Sequence, residues 1–190
     1  EERIIDQKSE FADYNLELAV RDRLNKYSSE ITREDVQKIS YLRVNENLES
    51  LQGIQYLQNL KEIDLDHCGL EDISLLNKLT DLKYLDLMDN NITDLSQITD
   101  LTNLRNLWLY DNQISDFTPL SQLDNLEYLS VGRNPINDFP AFLDNVKNLG
   151  LRYLSASRLG LDNSDLTAIV NKLSDIEDLD LSDNNITDIK

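Results

Sequence analysis

The sequence predicts an α/β fold, a right-handed and curved solenoid with a short-stranded parallel sheet on its concave face and a helical N-terminal cap. Three observations predict it. The pattern Leu-x-x-Leu-x-Leu, with Ile or Val in some places, recurs seven times in 190 residues, most clearly at Leu82, Leu85 and Leu87 and at Leu104, Leu107 and Leu109. Each of these copies runs on to an Asn and then an apolar residue two further, as in Asn90 and Ile92 or Asn112 and Ile114. Residues 11–40 lack the pattern and carry helix signals instead.

The middle apolar residue of each copy sets the register. It falls at Leu42, Ile63, Leu85, Leu107, Leu129, Leu154 and Leu179, at intervals of 21, 22, 22, 22, 25 and 25 residues. Further apolar positions recur downstream, at Leu95, Ile98 and Leu101 and again at Phe117, Leu120 and Leu123. One coil with about seven inward apolar side chains cannot cover them alone, so stability must come from stacking on neighbouring coils. The Leu-x-Leu segment is the strand, and alternation sends its variable residues to the concave face. The Asn that follows can bond the backbone of the next coil, and a column of them makes a ladder. That column reads Asn47, Cys68, Asn90, Asn112, Asn134, Leu159 and Asn184. Leu159 cannot take part, so the sixth coil must differ locally.

The backs of the early coils have room only for a turn or a 3₁₀ segment. Asp72, Asp94, Asp116, Asp138 and Asp188 are read as turn caps, since Asp bonds its own local backbone well. The two longer coils have room for helices: Pro140 opens one carrying Phe142, Leu143 and Val146, and Ser164 caps another with Leu166, Ile169, Val170 and Leu173 on one face. Ahead of the repeats, Leu16, Val20, Leu24 and Tyr27 mark an amphipathic helix. A second helix starts at Thr32, with Asp35 at its third position and Ile31 stapled to Val36. Residues 1–40 are thus a tail, frayed over 1–10, and a helical cap. Residues 41–190 hold about seven coils, the last incomplete, in one continuous structural domain. A start at Glu1 without Met and an end at Lys190 one turn into a repeat are expected of a segment excised from a longer protein, whose array can continue past residue 190.

Composition narrows the partners. The formal charge is −18 and 40% of residues are hydrophobic, with an isoelectric point of about 4.2. Nucleic acid needs a basic stripe that this chain lacks, and an anionic membrane surface would repel it. The acidity serves either solubility or the steering of a basic partner. No apolar run is long enough for membrane insertion. The single Cys allows no internal disulfide, and the Asn91-Ile92-Thr93 and Asn185-Ile186-Thr187 sequons are by-products of the repeat.

Catalytic chemistry is hard to place. His67 and Cys68 are the only His and Cys, but Cys68 holds the inward ladder position and His67 the outer turn, so their side chains should diverge. Glu62, Asp64, Asp66 and Asp86 should cluster on the concave face; on a flat sheet they read as a solvated acidic patch rather than a Ca²⁺ site. The five Gly are scattered and form no phosphate loop. No catalytic, cofactor-binding or metal-binding residue is assigned, and the chain is not read as an enzyme.

The concave face is the stronger candidate. Its first column is Tyr41, Glu62, Tyr84, Asn106, Tyr128, Tyr153 and Asp178. Its second is Arg43, Asp64, Asp86, Trp108, Ser130, Ser155 and Asp180. Its third is Asn45, Asp66, Met88, Tyr110, Gly132, Ser157 and Ser182. Five of the eight Tyr, the only Trp and the only Met share this surface, which strand propensity alone does not explain, and these types are enriched at interfaces. The expected partner-binding residues are Tyr84, Met88, Trp108, Tyr110, Tyr128 and Tyr153, with Arg133 and Arg158 on the C-terminal rim and acidic residues on the N-terminal side.

The form Leu-x-x-Leu-x-Leu-x-x-Asn-x-Ile-x-Asp, repeated every 22 residues, resembles the bacterial leucine-rich repeats of internalins. The segment Asn15 to Leu57, with Ile31-Thr32-Arg33-Glu34-Asp35-Val36 and Leu48-Glu49-Ser50-Leu51-Gln52-Gly53-Ile54-Gln55-Tyr56-Leu57, is similar to their helical cap and first coil. The resemblance covers residues 15–139; the longer coils and Leu159 depart from it. It implies a protein–protein interaction module of a bacterial secreted or cell-surface protein, extracellular or wall-attached, binding a protein partner on the concave face. A monomer without cofactor is expected. The alternative is a cytoplasmic leucine-rich-repeat scaffold like the eukaryotic phosphatase regulators, and an enzyme stands third.

Overall fold

The computed structural model describes residues 11–187. The expected frayed tail at 1–10, the turn cap at Asp188 and the end of the last coil at Ile189 lie outside the described residues. Two helices, α1 (Tyr14–Leu24) and α2 (Arg33–Val36), precede seven three-residue strands. The strands are β1 (Tyr41–Arg43), β2 (Glu62–Asp64), β3 (Tyr84–Asp86), β4 (Asn106–Trp108), β5 (Tyr128–Ser130), β6 (Tyr153–Ser155) and β7 (Asp178–Asp180). All pair in parallel, in sequence order, in one sheet. The register matches the spacing of the repeat: Leu42 pairs with Ile63, Ile63 with Leu85, Leu85 with Leu107, Leu107 with Leu129, Leu129 with Leu154 and Leu154 with Leu179.

The backs follow coil length. The shorter coils carry 3₁₀ segments at Ile54–Tyr56, Ser74–Lys78, Ser96–Ile98 and Thr118–Gln122; the longer ones carry helices α3 (Phe139–Val146) and α4 (Asn163–Lys172). Strands sit about 4.8 Å apart while helical backs are roughly 10 Å wide, which makes the sheet the concave side. The change from 3₁₀ to α-helix is packed by three rings. Phe117 meets Phe142 edge-on at 5.4 Å, and Phe142 stacks on Phe139 at 5.3 Å.

Core filling matches the seven-residue expectation. In the third coil Leu82, Leu85, Leu87, Ile92, Leu95, Ile98 and Leu101 are all buried, and the fourth repeats this from Leu104 to Leu123. In the last coil Leu179 and Leu181 are only half-buried, since no described coil stacks beyond them.

The Asn ladder forms where two coils meet and fails where the sequence breaks it. Asn112 donates to the Leu87 carbonyl of the preceding coil at 2.8 Å and to Leu109 in its own coil at 3.2 Å. Its oxygen accepts from the Ile92 amide at 3.0 Å. Asn90 serves Leu65 and Leu70 in the same way, and Asn134 serves Leu109 and Ile114. Cys68 is fully buried with its sulfur 3.5 Å from the Val44 carbonyl. Leu159 supplies no amide, so the Ile136 N–H turns to the carbonyl of Asn134 within its own coil, at 2.8 Å. Asn184 restores the ladder, accepting from Leu159 and Leu161.

Four expectations are corrected. Asn47 is exposed rather than a ladder amide, because the first coil has no earlier coil whose carbonyl it could reach. Helix α4 is capped by Asp162 through the Ser164 and Asp165 amides, two residues before Ser164, and Val170 is 66% exposed rather than on the buried face. Tyr27 lies past the end of α1 and is 63% exposed; the helix stops at Asn25, a left-handed cap at φ 53°. The other caps stand. Asp72, Asp94 and Asp116 accept the amide two residues on, and Asp138 caps α3 through Ala141. Thr32 and Asp35 form the capping box that opens α2.

The cap is fastened by Asp13, which is buried. One carboxylate oxygen caps α1 through the Asn15 and Leu16 amides; the other takes the Glu49 amide of the first coil at 2.7 Å. Helix α1 then lays Leu16 and Val20 against that coil's otherwise open core.

Replacing Asn112 by Ala should cost at least about 2 kcal/mol, since it orphans buried carbonyls and an amide, while Asn47→Ala should cost under about 0.5 kcal/mol. Urea unfolding of the two variants checks this. Equal costs would remove the ladder as a source of stability.

Candidate functional site: the concave aromatic groove

Each coil after the first turns out of its strand through one left-handed residue. These are His67, Asp89, Asp111, Arg133, Arg158 and Asp183, all with φ between 52° and 57°. Each of the first five donates its amide to the next coil, as Asp89 to the Tyr110 carbonyl at 2.9 Å and Arg133 to Ser157 at 3.0 Å. The turn therefore keeps the sheet's hydrogen bonds running one step beyond the strand. It also stacks the six side chains in a column along the rim. Arg133 pairs with Asp111, and Arg158 with Asp183 at 2.8 Å. Both Arg are exposed, as a rim requires, yet each already faces a carboxylate. Arg158 also donates to the Tyr110 hydroxyl at 3.2 Å.

The three concave columns lie side by side as the register demands. Tyr84, Met88, Trp108, Tyr110, Tyr128 and Tyr153 are all half-buried. They are less free than an open patch implies, because neighbouring strands bring same-face side chains into contact. Trp108 lies 5.7 Å from Tyr153 and 6.5 Å from Tyr84 between ring centroids, and Tyr128 stacks on Tyr153 at 6.4 Å. The Nε1 of Trp108 is buried without a hydrogen-bond partner.

A groove of about 390 Å³ opens among these rings. It is lined by Tyr84, Asp86, Met88, Trp108, Tyr110, Ser130, Tyr153, Ser155, Ser157 and Asp180. Tyr128 packs behind Tyr153 and does not line it. The groove exists because small residues follow large ones along the columns, with Ser130 and Ser155 after Trp108, and Gly132 and Ser157 after Tyr110. Gly132 has no room for more: a Cβ there would lie 2.6 Å from the Ser157 carbonyl oxygen and 3.0 Å from the Tyr110 ring. The small floor residues and Asp180 are the parts of the site that a search for aromatics passes over. The Ser-Ser and Gly-Ser runs in the second and third columns were the available signal.

The acids read as one patch have separate surroundings. Glu62 is exposed. Asp64 pairs with Arg43 at 3.2 Å. Asp86 is buried; it accepts the Met88 amide at 3.0 Å and faces the Tyr84 hydroxyl at 3.4 Å. Burial pushes the Asp86 carboxyl up to about 6, against the Met88 hydrogen bond and with help from Asp64 and Asp66. Burial, with Asp86 and Asp64 beside it, raises the Tyr84 phenol to about 12. Cys68 is also pushed up to about 12, by burial first and then by the nearby acids, which leaves it a thiol and a poor nucleophile. A different trio comes together on the turn: ligand atoms of Asp66, His67 and Asp89 lie within 4.8 Å of one another. His67 is largely exposed and bridges the two acids, with Nδ1 2.6 Å from Asp66 and Nε2 3.6 Å from Asp89.

Raising Asp86 has a sign that can be checked. Its folded value lies above the ordinary carboxylate value, so its stabilising contribution is present below about pH 4 and is lost as the pH rises through about 6. Asp86→Asn should therefore gain about 2 kcal/mol relative to the parent between pH 4 and pH 7.5 in urea unfolding. A difference that does not change with pH would show that Asp86 is solvated.

The comparisons with known proteins agree with this architecture. The family description "Leucine Rich repeats (2 copies)" matches residues 58–101 and again 102–145. A further leucine-rich-repeat description matches residues 172–189, so that the matched segments together span more than half of the chain. Among solved structures, an internalin C2 from Listeria monocytogenes is 29% identical with a TM-score of 0.71, over 98% of this chain and 92% of that one. An internalin, inlF, from the same species is 28% identical with a TM-score of 0.63, over 95% of this chain and 72% of that one. A search of curated protein sequences gives no significant match. With seven in-register parallel strands and a two-helix cap, the chain belongs to the internalin-like leucine-rich-repeat family.

Proposed function

We propose that this chain is the partner-binding module of a secreted or cell-surface bacterial protein, acting as a monomer without catalysis, and that its concave face receives a protein. Leucine-rich repeats serve as interaction scaffolds, and no described helix is long and apolar enough to cross a membrane. The observation that carries the reading is the groove between Tyr84, Trp108, Tyr110 and Tyr153. Trp and Tyr there keep part of each ring in solvent and surround a recess of about 390 Å³. Aromatic anchors around a recess are the usual centre of an interface. The internalin-like relatives support the secreted or surface location.

Met88 and Tyr128 widen the contact, and Arg133 and Arg158 form the rim. Both Arg are already paired on the surface, so they bear on association rate and salt dependence more than on affinity.

Partner capture with the isolated domain, followed by binding measurements on Trp108→Ala and Tyr110→Ala, tests the reading. Each substitution should weaken binding by about thirtyfold or more, with circular dichroism unchanged. Two folded variants that bind like the parent would move the site to the convex face or the cap.

A further inference from the structure

Several acids on the concave face and its rim are matched by arginines, and the buried one, Asp86, is not. Asp64 has Arg43, Asp111 has Arg133 and Asp183 has Arg158. Asp180 accepts from the Ser155 hydroxyl at 2.9 Å and from the Ser182 amide at 2.9 Å, at the far side of the groove. Asp86 is 5% exposed and meets no cation among the described residues; its neighbours are the Met88 amide and the Tyr84 hydroxyl. A buried carboxylate with so little company is costly unless a cation arrives.

The first strands of the sheet show what such a cation looks like. There the Arg23 guanidinium lies 5.7 Å from the centre of the Tyr41 ring, and Arg43 on the same strand pairs with Asp64. On β3, Tyr84 repeats Tyr41 from two strands back and Asp86 repeats Asp64 from the strand before. The position before Asp86, where Arg43 stands for Asp64, is Asp64 itself, and the position after it is Trp108, so neither lateral neighbour is a cation; among the described residues no arginine covers the Tyr84 ring.

We infer that the groove takes an arginine side chain of the partner protein, its guanidinium lying against Trp108 and Tyr84 with its charge on Asp86. A peptide carbonyl beside that arginine accepts from the Trp108 indole, whose Nε1 is buried and unpartnered. Arginine suits the place better than lysine because a planar, weakly hydrated guanidinium stacks on rings while donating in plane. An apolar side chain would bury Asp86 further with no charge to meet it. An anionic one would be repelled by Asp86, Asp180 and the net charge of −18. The inference rests on the concave face being the partner site.

Trp108 is the only Trp, so its indole N–H gives one resonance in a ¹H–¹⁵N spectrum and reports on the groove directly. The probe is the blocked tripeptide Ac-Gly-Arg-Gly-NH₂. Its counterpart carries citrulline, which keeps the shape of arginine and removes the charge. The arginine peptide should move the Trp108 indole resonance saturably at millimolar concentration, and citrulline should bind at least about tenfold more weakly. Asp86→Asn should lose that preference, whereas Asp72→Asn, which removes one charge on the back of the coil, should keep it. Equal shifts from both peptides, no saturation up to about 50 mM, or an unchanged preference in Asp86→Asn would each overturn the inference. The citrulline comparison is made on the parent protein and stands even if Asp86→Asn fails to fold. Should the arginine peptide fail while Trp108→Ala still abolishes partner binding, the arginine assignment falls and the concave site remains. If Trp108→Ala leaves partner binding intact, the concave site itself falls.

Discussion

The constraint on which the rest depends is the in-register stacking of coils that cannot stand alone. A three-residue strand has too few hydrogen bonds to persist by itself. Seven of them persist because each coil buries its apolar residues against the next and because a side-chain amide bonds across each junction. Asn90, Asn112 and Asn134 tie three successive junctions with nearly the same distances. That repetition fixes the spacing of the coils, and the spacing fixes which side chains stand beside which on the concave face.

The groove follows from this regularity. In a parallel sheet with no slippage, residues 22 apart are forced into lateral contact, so the sequence of a column is the topography of the surface. Trp108 followed by Ser130 and Ser155, and Tyr110 followed by Gly132 and Ser157, make a wall and then a floor. Gly132 shows how tightly the floor is set, since even a methyl group would press on the Ser157 backbone. The same regularity leaves Asp86 between Asp64, which has its arginine, and Trp108, which offers a ring face. A binding surface with a specific chemical gap is thus an outcome of a repeat whose conserved-spacing positions do the folding and whose variable positions are free to differ.

Much of the fold was legible because the repeat speaks in long-range terms. The interval from Leu42 to Leu179 gives strand number, order and register at once, and the extra three residues in the last two intervals announce α3 and α4. The same reasoning located the residues around the groove, for the columns need only the register. It missed where the determining contact is particular to one place. Asn47 matches the motif letter by letter, but the first coil has no preceding carbonyl to bind. Asp162 outcompetes Ser164 for the start of α4 because the capping box with Asp165 closes only from there. Asp86 reads as one more acid on an acidic face; that it is buried while Asp64 is paired depends on its surroundings, with the Tyr84 hydroxyl facing it and Trp108 beside it on the next strand. The ring contacts among Trp108, Tyr84 and Tyr153 belong to side-chain conformations, which spacing does not specify.

Junction amides, and not the apolar core alone, hold the coils in register. Native-state hydrogen exchange of four backbone amides tests this most directly. Those of Leu70, Ile92 and Ile114 donate to a ladder Asn of the next coil, while that of Ile136, facing Leu159, bonds only within its own coil. Protection should be close to the global unfolding free energy for Leu70, Ile92 and Ile114, and exchange at least about a hundredfold faster for Ile136. Equal protection at all four would contradict it, and would assign the register to core packing by itself.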